Sequence, residues 1–322
     1  MKRFKNILYV ADPCEAVPAA FRQAVGLAER NRARLTVILV TEGLPPYLSR
    51  MAPERLRNVR TAELQAALDR LAASAAGRVE VETKVVEGKA FLEIVREVLR
   101  NGRDLVVKSA DSDQGAMGWL FGSTDMHLLR KCPCPVWLIK PSELQAIRRV
   151  MACVDFDDLD SPDADAGEPL NRMILELAGS LAFVESSALH VVHASEAIGE
   201  GLLRSARAEI DDEEVDSYVD AVFRQHRLWL DRLLRKARQW IGPETYDAVK
   251  LRTHVPKGRA AEAIPTLARD LSIDLIVMGT VARSGIPGLI IGNTAESVLS
   301  QIRCSVLAVK PPDFVTPVTL ED

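Results

Sequence analysis

Short apolar runs recur along the chain and alternate with segments whose apolar residues are spaced for helices. In the first half these runs cover residues 7–10, 35–40, 79–86, 105–108 and 136–139. Such runs are typical of strands buried on both faces of a parallel sheet. Apolar residues at helical spacing predict helices near 18–31, 53–76 and 91–100, with a short helix after Ser123. The alternation predicts an α/β fold with helices on both faces of a doubly wound sheet.

The second half of the chain repeats the first. Asp104-Leu105-Val106-Val107 returns 170 residues later as Asp274-Leu275-Ile276-Val277, and the same offset relates Gly88 to Gly258 and Cys134 to Cys304. Repeats of this length are whole domains. We therefore predict two tandem domains, residues 1–146 and 147–322, each with a five-stranded parallel sheet.

Three features distinguish the second repeat. An acidic loop spans residues 155–168, and the second helix is longer, at about Gly201–Ile241. The third helix contains Pro265, which should kink it or delay its start because proline lacks a backbone N–H.

A glycine-rich loop lies between two apolar runs near the end of the chain. Residues 275–278 precede a loop with four glycines, after which Asn293 is placed to cap a helix and Glu296 to complete a capping box. A strand, a glycine loop and a helix N-terminus together form an anion site, because unpaired N–H groups converge there. Asp12 and Asp155 end the first strands and should lie at the same sheet edge.

Composition narrows the function classes. The 322 residues are 48% hydrophobic with a net charge of −4, which is ample for two cores and not basic enough for nucleic acid. No apolar run approaches the roughly 18 residues of a membrane span, and the N-terminal run is too short for a signal peptide. We therefore expect a cytoplasmic protein without a membrane span.

The sequence offers little evidence for a metal site or a redox site. The five cysteines form no metal or disulfide pattern, so we expect buried thiols, with redox sensing as the alternative. His190 and His193 should point to opposite faces of a strand, and the acidic loop lacks the glycine and glutamate of a calcium loop. We predict no metal site and no catalytic residue.

These marks together resemble a tandem universal stress protein. They are the first-strand aspartates, the second strand around Leu189-His190-Val191, the small-residue turn that opens the third helix and the C-terminal glycine motif. The resemblance implies the strand order 3-2-1-4-5 in each domain. It also implies that the edge strands, residues 136–139 and 306–309, pair across a pseudo-two-fold axis, and that the chain dimerises again.

The resemblance also implies a nucleotide site in the second domain. Nucleotide-binding members of the family carry G-x2-G-x9-G-[ST] after strand four, which falls here on Gly279, Ala282, Gly292 and Asn293, so two of four positions depart. By resemblance, Asp155 and Val191 meet the base of ATP or ADP with its Mg²⁺. Residues 279–294 then cradle ribose and phosphates; the candidates are Met278, Gly279, Ala282, Arg283, Gly292, Asn293 and Thr294.

The motif is more degenerate in the first domain, where its positions fall on Ser109, Ser112, Gly122 and Ser123. Asp125, in the first turn of the following helix, should repel a phosphate. The weaker candidates there are Asp12, Val40, Gly122 and Ser123, and we expect no nucleotide.

Three functions remain open from the sequence. The first is a regulatory stress protein that binds an adenine nucleotide or a similar anion in its second domain. The second is a partner-binding scaffold with vestigial pockets. The third is a slow nucleotide hydrolase that depends on Asp155 and the 279–294 loop.

Overall fold

A computed structural model describes residues 4–12, 18–42, 54–111, 113–115, 118–140, 146–155, 168–205, 210–281 and 291–320. These residues form two compact units. The N-terminal unit is drawn from residues 3–145, 280–292 and 303–322, and the C-terminal unit from residues 146–279 and 293–302. The compact units are not continuous in sequence, because the last strand groups with the N-terminal unit.

In the N-terminal unit, six neighbouring strands follow the order β3-β2-β1-β4-β7-β12. The first five strands are parallel, which confirms the order 3-2-1-4-5 in this half. A separate antiparallel hairpin, β5 and β6, was not predicted. The strands are β1 (Asn6–Val10), β2 (Arg34–Thr41), β3 (Val81–Glu87), β4 (Leu105–Ser109), β5 (Asp113–Gly115), β6 (Gly118–Leu120), β7 (Val136–Ile139) and β12 (Ser305–Val309).

Helices cover this sheet with their apolar faces. Phe21, Ala24, Val25 and Ala28 of the first helix are buried, as their spacing predicts. That helix ends at Arg32, which adopts a left-handed conformation with φ 49°. The helices are α1 (Ala19–Asn31), α2 (Glu54–Ala73), α3 (Ala90–Asn101) and α4 (Ser123–Lys131).

Strand β12 comes from the second sequence repeat but completes the sheet of the N-terminal unit. It pairs antiparallel with β7, with Leu307 opposite Trp137, as the resemblance implies. Lys310, which follows the strand, is buried and donates to the Leu129 carbonyl at 2.5 Å and to Thr280 Oγ1 at 2.7 Å. Burial lowers the pKa of Lys310 to about 8. The edge that β7 would expose is thus covered by a neighbouring strand.

The C-terminal unit contains four parallel strands in the order β10-β9-β8-β11. They are β8 (Arg149–Cys153), β9 (Ala188–Val192), β10 (Lys250–His254) and β11 (Leu275–Gly279). The helices of the unit are α5 (Glu168–Val184), α6 (Glu200–Leu203), α7 (Asp212–Ile241), α8 (Pro243–Ala248), α9 (Ala260–Asp270) and α10 (Asn293–Gln301). None of the helices in the described ranges is long and apolar enough to cross a membrane.

The long second helix differs from its prediction. A short helix, α6, ends at Leu203, and α7 begins only at Asp212. The start of α7 is set by Asp211, whose carboxylate accepts a hydrogen bond from the Glu213 N–H. Residues on both sides of this break line a cavity that is described below.

Helix α9 runs through Pro265, and its start is not delayed. It begins at Ala260, the position that matches Ala90 at the start of α3. Proline cannot donate to the carbonyl four residues earlier, which belongs to Ala261. Gln301 of α10 fills this role, because its side-chain amide donates to the Ala261 carbonyl at 3.0 Å.

This contact predicts a specific coupling. Gln301→Ala should lower the free energy of unfolding by about 1 kcal/mol, because the Ala261 carbonyl loses its partner. In a Pro265→Ala background the helix supplies its own N–H, so the same change should have little effect. Urea unfolding of the four proteins measures the coupling, and Ser300→Ala on the exposed side of α10 is the control. Equal losses in both backgrounds would contradict this account.

Candidate functional site

In the N-terminal unit a cavity of about 190 Å³ opens at the carboxyl ends of the strands. Its walls include the predicted candidates Asp12 and Val40. Gly122 and Ser123 are absent from the described lining, and the adjoining Thr124 is present. The described lining is Val10, Ala11, Asp12, Val40, Ala90, Ile94, Lys108, Ser109, Asp111 and Thr124.

A cluster of three charged side chains occupies the start of α4 in this cavity. Asp125 is fully buried, and its carboxylate accepts a hydrogen bond from the Asp111 N–H at 2.7 Å. The Lys108 ammonium lies 3.0 Å from Asp125 Oδ1 and is also hydrogen-bonded to the Asp111 carboxylate. The chain's own carboxylates thus supply negative charge to this helix terminus.

Burial governs the ionisation of the cluster. It raises the pKa of Asp125 to about 6, with help from the Asp111 carboxylate and against the opposing charge of Lys108. Burial alone would lower the pKa of Lys108, but the charges of Asp125 and Asp111 outweigh it, so that pKa is raised. The lysine therefore stays protonated and ion-paired with the two carboxylates.

Gly122 allows this close approach. A Cβ atom at this position would lie 2.6 Å from the Cβ of Asp111, a distance that real side chains do not tolerate. The glycine of the motif thus serves the packing of Asp111 against the start of α4.

In the C-terminal unit, Asp155 follows β8 and is held by its backbone. Its N–H donates to Asn171 Oδ1 at 3.1 Å, and the Asn171 amide donates back to the Asp155 carbonyl at 2.5 Å. The side chain is 63% exposed, and its Oδ1 lies 3.7 Å from His193 Nδ1. Asp155 is thus fixed at the sheet edge with its carboxylate turned outward.

The second-strand candidate, Val191, has no exposed surface, so its side chain offers nothing to a base. The strand register identifies the residue of the C-terminal repeat that matches Val40. Ile7 pairs with Leu35 in one sheet as Val150 pairs with Leu189 in the other, which makes Ala194 the counterpart of Val40. Ala194 is half-buried and lies beyond the strand end.

The glycine motif is described only in part. Ala282 and Arg283 lie outside the described residues, as does most of the predicted acidic loop, residues 156–167. Met278 is buried, and a Cβ at Gly279 would lie 2.7 Å from Cδ2 of Leu170 on α5, so a side chain there would require the end of Leu170 to move. Beyond the gap, the Gly292 N–H donates to the Thr280 carbonyl at 3.4 Å.

Helix α10 begins at Asn293, one residue earlier than the capping box predicts. Asn293 and Thr294 therefore lie at the start of the helix, and both are exposed. The glycine loop at residues 282–290 lies outside the described residues, and the capping role of Asn293 stays a prediction.

The two helix starts differ in chemistry at matching positions. The offset of 170 places Met278 at the position of Lys108, Val281 at that of Asp111 and Ala295 at that of Asp125. The C-terminal repeat therefore has no carboxylate and no lysine at these three positions.

Histidine pairs were missed by sequence reasoning. His193 Nε2 lies 2.8 Å from Nδ1 of His226 on α7, and His190 Nδ1 lies 3.0 Å from Nε2 of His254. Burial lowers the pKa of His190 to about 4. The sequence signal was the position of His193 just beyond β9, at the edge that also carries Asp155, but His226 lies far along the chain. Across the described parts of the chain, no group of three or more His, Cys, Asp or Glu residues is arranged to hold a metal.

The four cysteines in the described residues are also buried, and Cys14 lies outside those residues. Cys132, Cys134, Cys153 and Cys304 are free thiols, and the sulfurs of Cys132 and Cys134 lie 3.6 Å apart. The neighbouring Cys132 and burial raise the pKa of Cys134, which disfavours the reactive thiolate.

Comparison with known sequences decides the family. The sequence profile of the universal stress protein family matches residues 3–140 and again residues 147–310. The chain belongs to the universal stress protein family. Universal stress protein E of Escherichia coli K12 is 31% identical over 333 residues, which cover 100% of this chain and 99% of that protein. A universal stress protein E homolog from Haemophilus influenzae is 26% identical over 322 residues, covering 96% of this chain and 98% of its own.

Solved structures share the fold of this universal stress protein. A functionally unknown protein from Pseudomonas aeruginosa PAO1 gives a TM-score of 0.66 at 23% identity, covering 96% of this chain and 94% of its own. A universal stress protein from Archaeoglobus fulgidus gives 0.62 at 18% identity, covering 97% and 98%. At these identities the likeness supports the fold alone.

The buried cluster predicts an unusual titration. Asp125 should titrate near pH 6, and Lys108→Met should move its pKa higher, because the opposing charge is lost. An acid whose folded pKa is raised binds more protons when folded, so Asp125 should destabilise the fold as pH rises from about 4 to about 6. Two pKa units correspond to about 3 kcal/mol as an upper bound.

Carboxyl-carbon NMR of Asp125 follows this titration directly. Urea unfolding of Asp125→Asn at pH 4 and pH 7 isolates the contribution to stability, because the variant should lose that part of the pH dependence. Lys131→Met on the same helix is the control. An Asp125 pKa near 4 would refute the buried cluster.

Proposed function

We propose that the protein is a cytoplasmic, stress-linked regulatory protein whose C-terminal repeat binds an adenine nucleotide. The ligand would be ATP or ADP with Mg²⁺. The observation that carries this proposal is the difference between the two helix starts. The first turn of α4 is neutralised by Asp111 and Asp125, whereas α10 has Val281 and Ala295 in their places.

The geometry supports separate roles for the site residues. The first-turn N–H groups of α10 favour phosphate oxygens, with Asn293 and Thr294 as exposed polar neighbours. Asp155 is held outward by Asn171, where its carboxylate can accept hydrogen bonds from a base or ribose. In this proposal Ala194, the counterpart of Val40, lies beside the base instead of the buried Val191.

The N-terminal repeat would then be structural. A phosphate at the start of α4 would be repelled by two carboxylates, and it would have to displace them from a cavity of about 190 Å³. We also propose that the two repeats form a pseudo-dimer within the chain, and that two chains form a homodimer.

Calorimetric titration with ATP and ADP tests the nucleotide proposal. We expect one site per chain. Asn293→Asp should weaken binding about tenfold or more, since one repelling charge removes a charge-assisted interaction of roughly 1.5–3 kcal/mol. Ser123→Asp, the matched change in the N-terminal repeat, should leave binding unchanged. Asn293→Ser restores the hydroxyl of the family motif and should bind at least as tightly.

The outcome separates the three functions. No binding at millimolar ATP would refute nucleotide binding and favour a partner-binding scaffold. Metal-dependent turnover that is lost in Asp155→Ala would favour the hydrolase instead. Equal losses in Asn293→Asp and Ser123→Asp would contradict the assignment of the site to the C-terminal repeat.

A further inference from the structure

A second cavity, of about 410 Å³, lies in the C-terminal unit, and none of the residues proposed to hold the nucleotide lines it, although Ser195 directly follows Ala194. It is formed where the chain turns after β9 and after β10, beside the break between α6 and α7. Its volume falls in the range of small-molecule sites, roughly 300–1,000 Å³. The described lining is Ser195, Glu196, Ala197, Gly199, Glu200, Gly201, Arg204, Phe223, Lys257 and Gly258.

A buried hydroxyl without a partner lines this cavity. Ser195 is fully buried, and its Oγ has no hydrogen-bond partner among the described residues. A buried polar group left unsatisfied is unfavourable by about 1–3 kcal/mol, so its presence points to a ligand that satisfies it.

The N-terminal repeat shows what the same position looks like when it is satisfied. The Gly88 N–H donates to the Thr41 carbonyl as the Gly258 N–H donates to that of Ser195, so Thr41 matches Ser195. The Thr41 hydroxyl donates to the Glu42 carbonyl at 3.1 Å and accepts from Arg60 at 2.9 Å. The hydroxyl of the C-terminal repeat has neither contact.

The adjoining glycines show the same contrast. A Cβ at Gly88 would lie 2.8 Å from Glu93, so that corner is filled, whereas a Cβ at Gly258 would meet nothing within 4 Å. The open corner is therefore specific to the C-terminal repeat.

Among the described residues that line the cavity, one cation has no carboxylate partner within 4.0 Å. Glu196 lies 3.5 Å from Arg259, and Glu200 lies 3.0 Å from Arg204. Arg204 also contacts Asp216 at 2.6 Å and Asp212 at 3.9 Å, so it is fully engaged.

Lys257 is exposed, and its ammonium lies 4.6 Å from the Phe223 ring centroid, with no carboxylate within 4.0 Å among the described residues. Its counterpart in the N-terminal repeat is Glu87, which carries the opposite charge.

The third element is the start of α9. The helix begins at Ala260, two residues after the cavity-lining Gly258, and its N-cap residue Arg259 makes no side-chain capping bond. The positive end of the helix dipole therefore adjoins the cavity.

We propose that this cavity binds a small organic anion, whose phosphate or carboxylate group is held by Lys257, Ser195 and the N-terminus of α9. The Phe223 ring provides an apolar wall for the remainder of the ligand. This site is independent of the nucleotide proposal.

Calorimetric titration of the full chain with glycerol 3-phosphate and with glycerate tests the proposal, and neutral glycerol is the control ligand. The two anions distinguish a phosphate from a carboxylate. At least one should bind, and glycerol should not. Lys257→Gln should weaken binding about tenfold or more, and Ser195→Ala about three- to tenfold, from the usual strengths of charged and neutral hydrogen bonds.

Matched variants distinguish this site from others. Lys250→Gln changes an exposed lysine at the opposite end of β10 and should have no effect, while Lys257→Glu copies the N-terminal repeat and should abolish binding. Asn293→Asp should leave binding of the small anions intact. The proposal is overturned if neither anion binds at 20 mM, roughly the weakest affinity such contacts give. It is equally overturned if Lys257→Gln binds as the wild type does, or if Asn293→Asp abolishes binding.

Discussion

The first turn of a helix leaves backbone N–H groups without partners, and whatever supplies negative charge there decides what the adjoining pocket can bind. The two repeats of this chain differ in the side chains that they place at this point. Before and within α4, Asp111 and Asp125 supply the charge and Lys108 balances it. At α10 the matching positions hold Val281 and Ala295 instead, and the acidic residue of its first turn is the exposed Glu296, one position further along. One duplicated fold can thus carry different side-chain chemistry at its two matching helix starts.

The last strand shows a second consequence of duplication. A single domain would leave β7 as an exposed edge, and β12 of the other repeat covers it by antiparallel pairing. Buried Lys310 then bonds to Leu129 and Thr280, and both belong to the same compact unit. The repeats are therefore units of sequence, while the N-terminal compact unit also includes the last strand of the second repeat.

Much of the fold followed from the sequence, because buried parallel strands and amphipathic helices leave strong periodic patterns. The site followed less well. Val191 lies in a continuous apolar run, and only the register with β8 shows that Ala194 matches Val40. The effect of Pro265 depended on Gln301, which lies far along the chain and meets Ala261 only in the folded protein. The carboxylates near α4 were visible in sequence, but their pairing with Lys108 needed three dimensions.

The central claim is that the two repeats differ in what their helix starts can accept. Photo-labelling with 8-azido-ATP, followed by mass spectrometry of the tryptic peptides, tests it most directly, because the reactive group sits on the base. The account predicts that the probe labels peptides from residues 146–279, near Asp155 and Ala194, and that excess ATP prevents this labelling. Protected labelling near Asp12 and Val40 in the N-terminal repeat would contradict it.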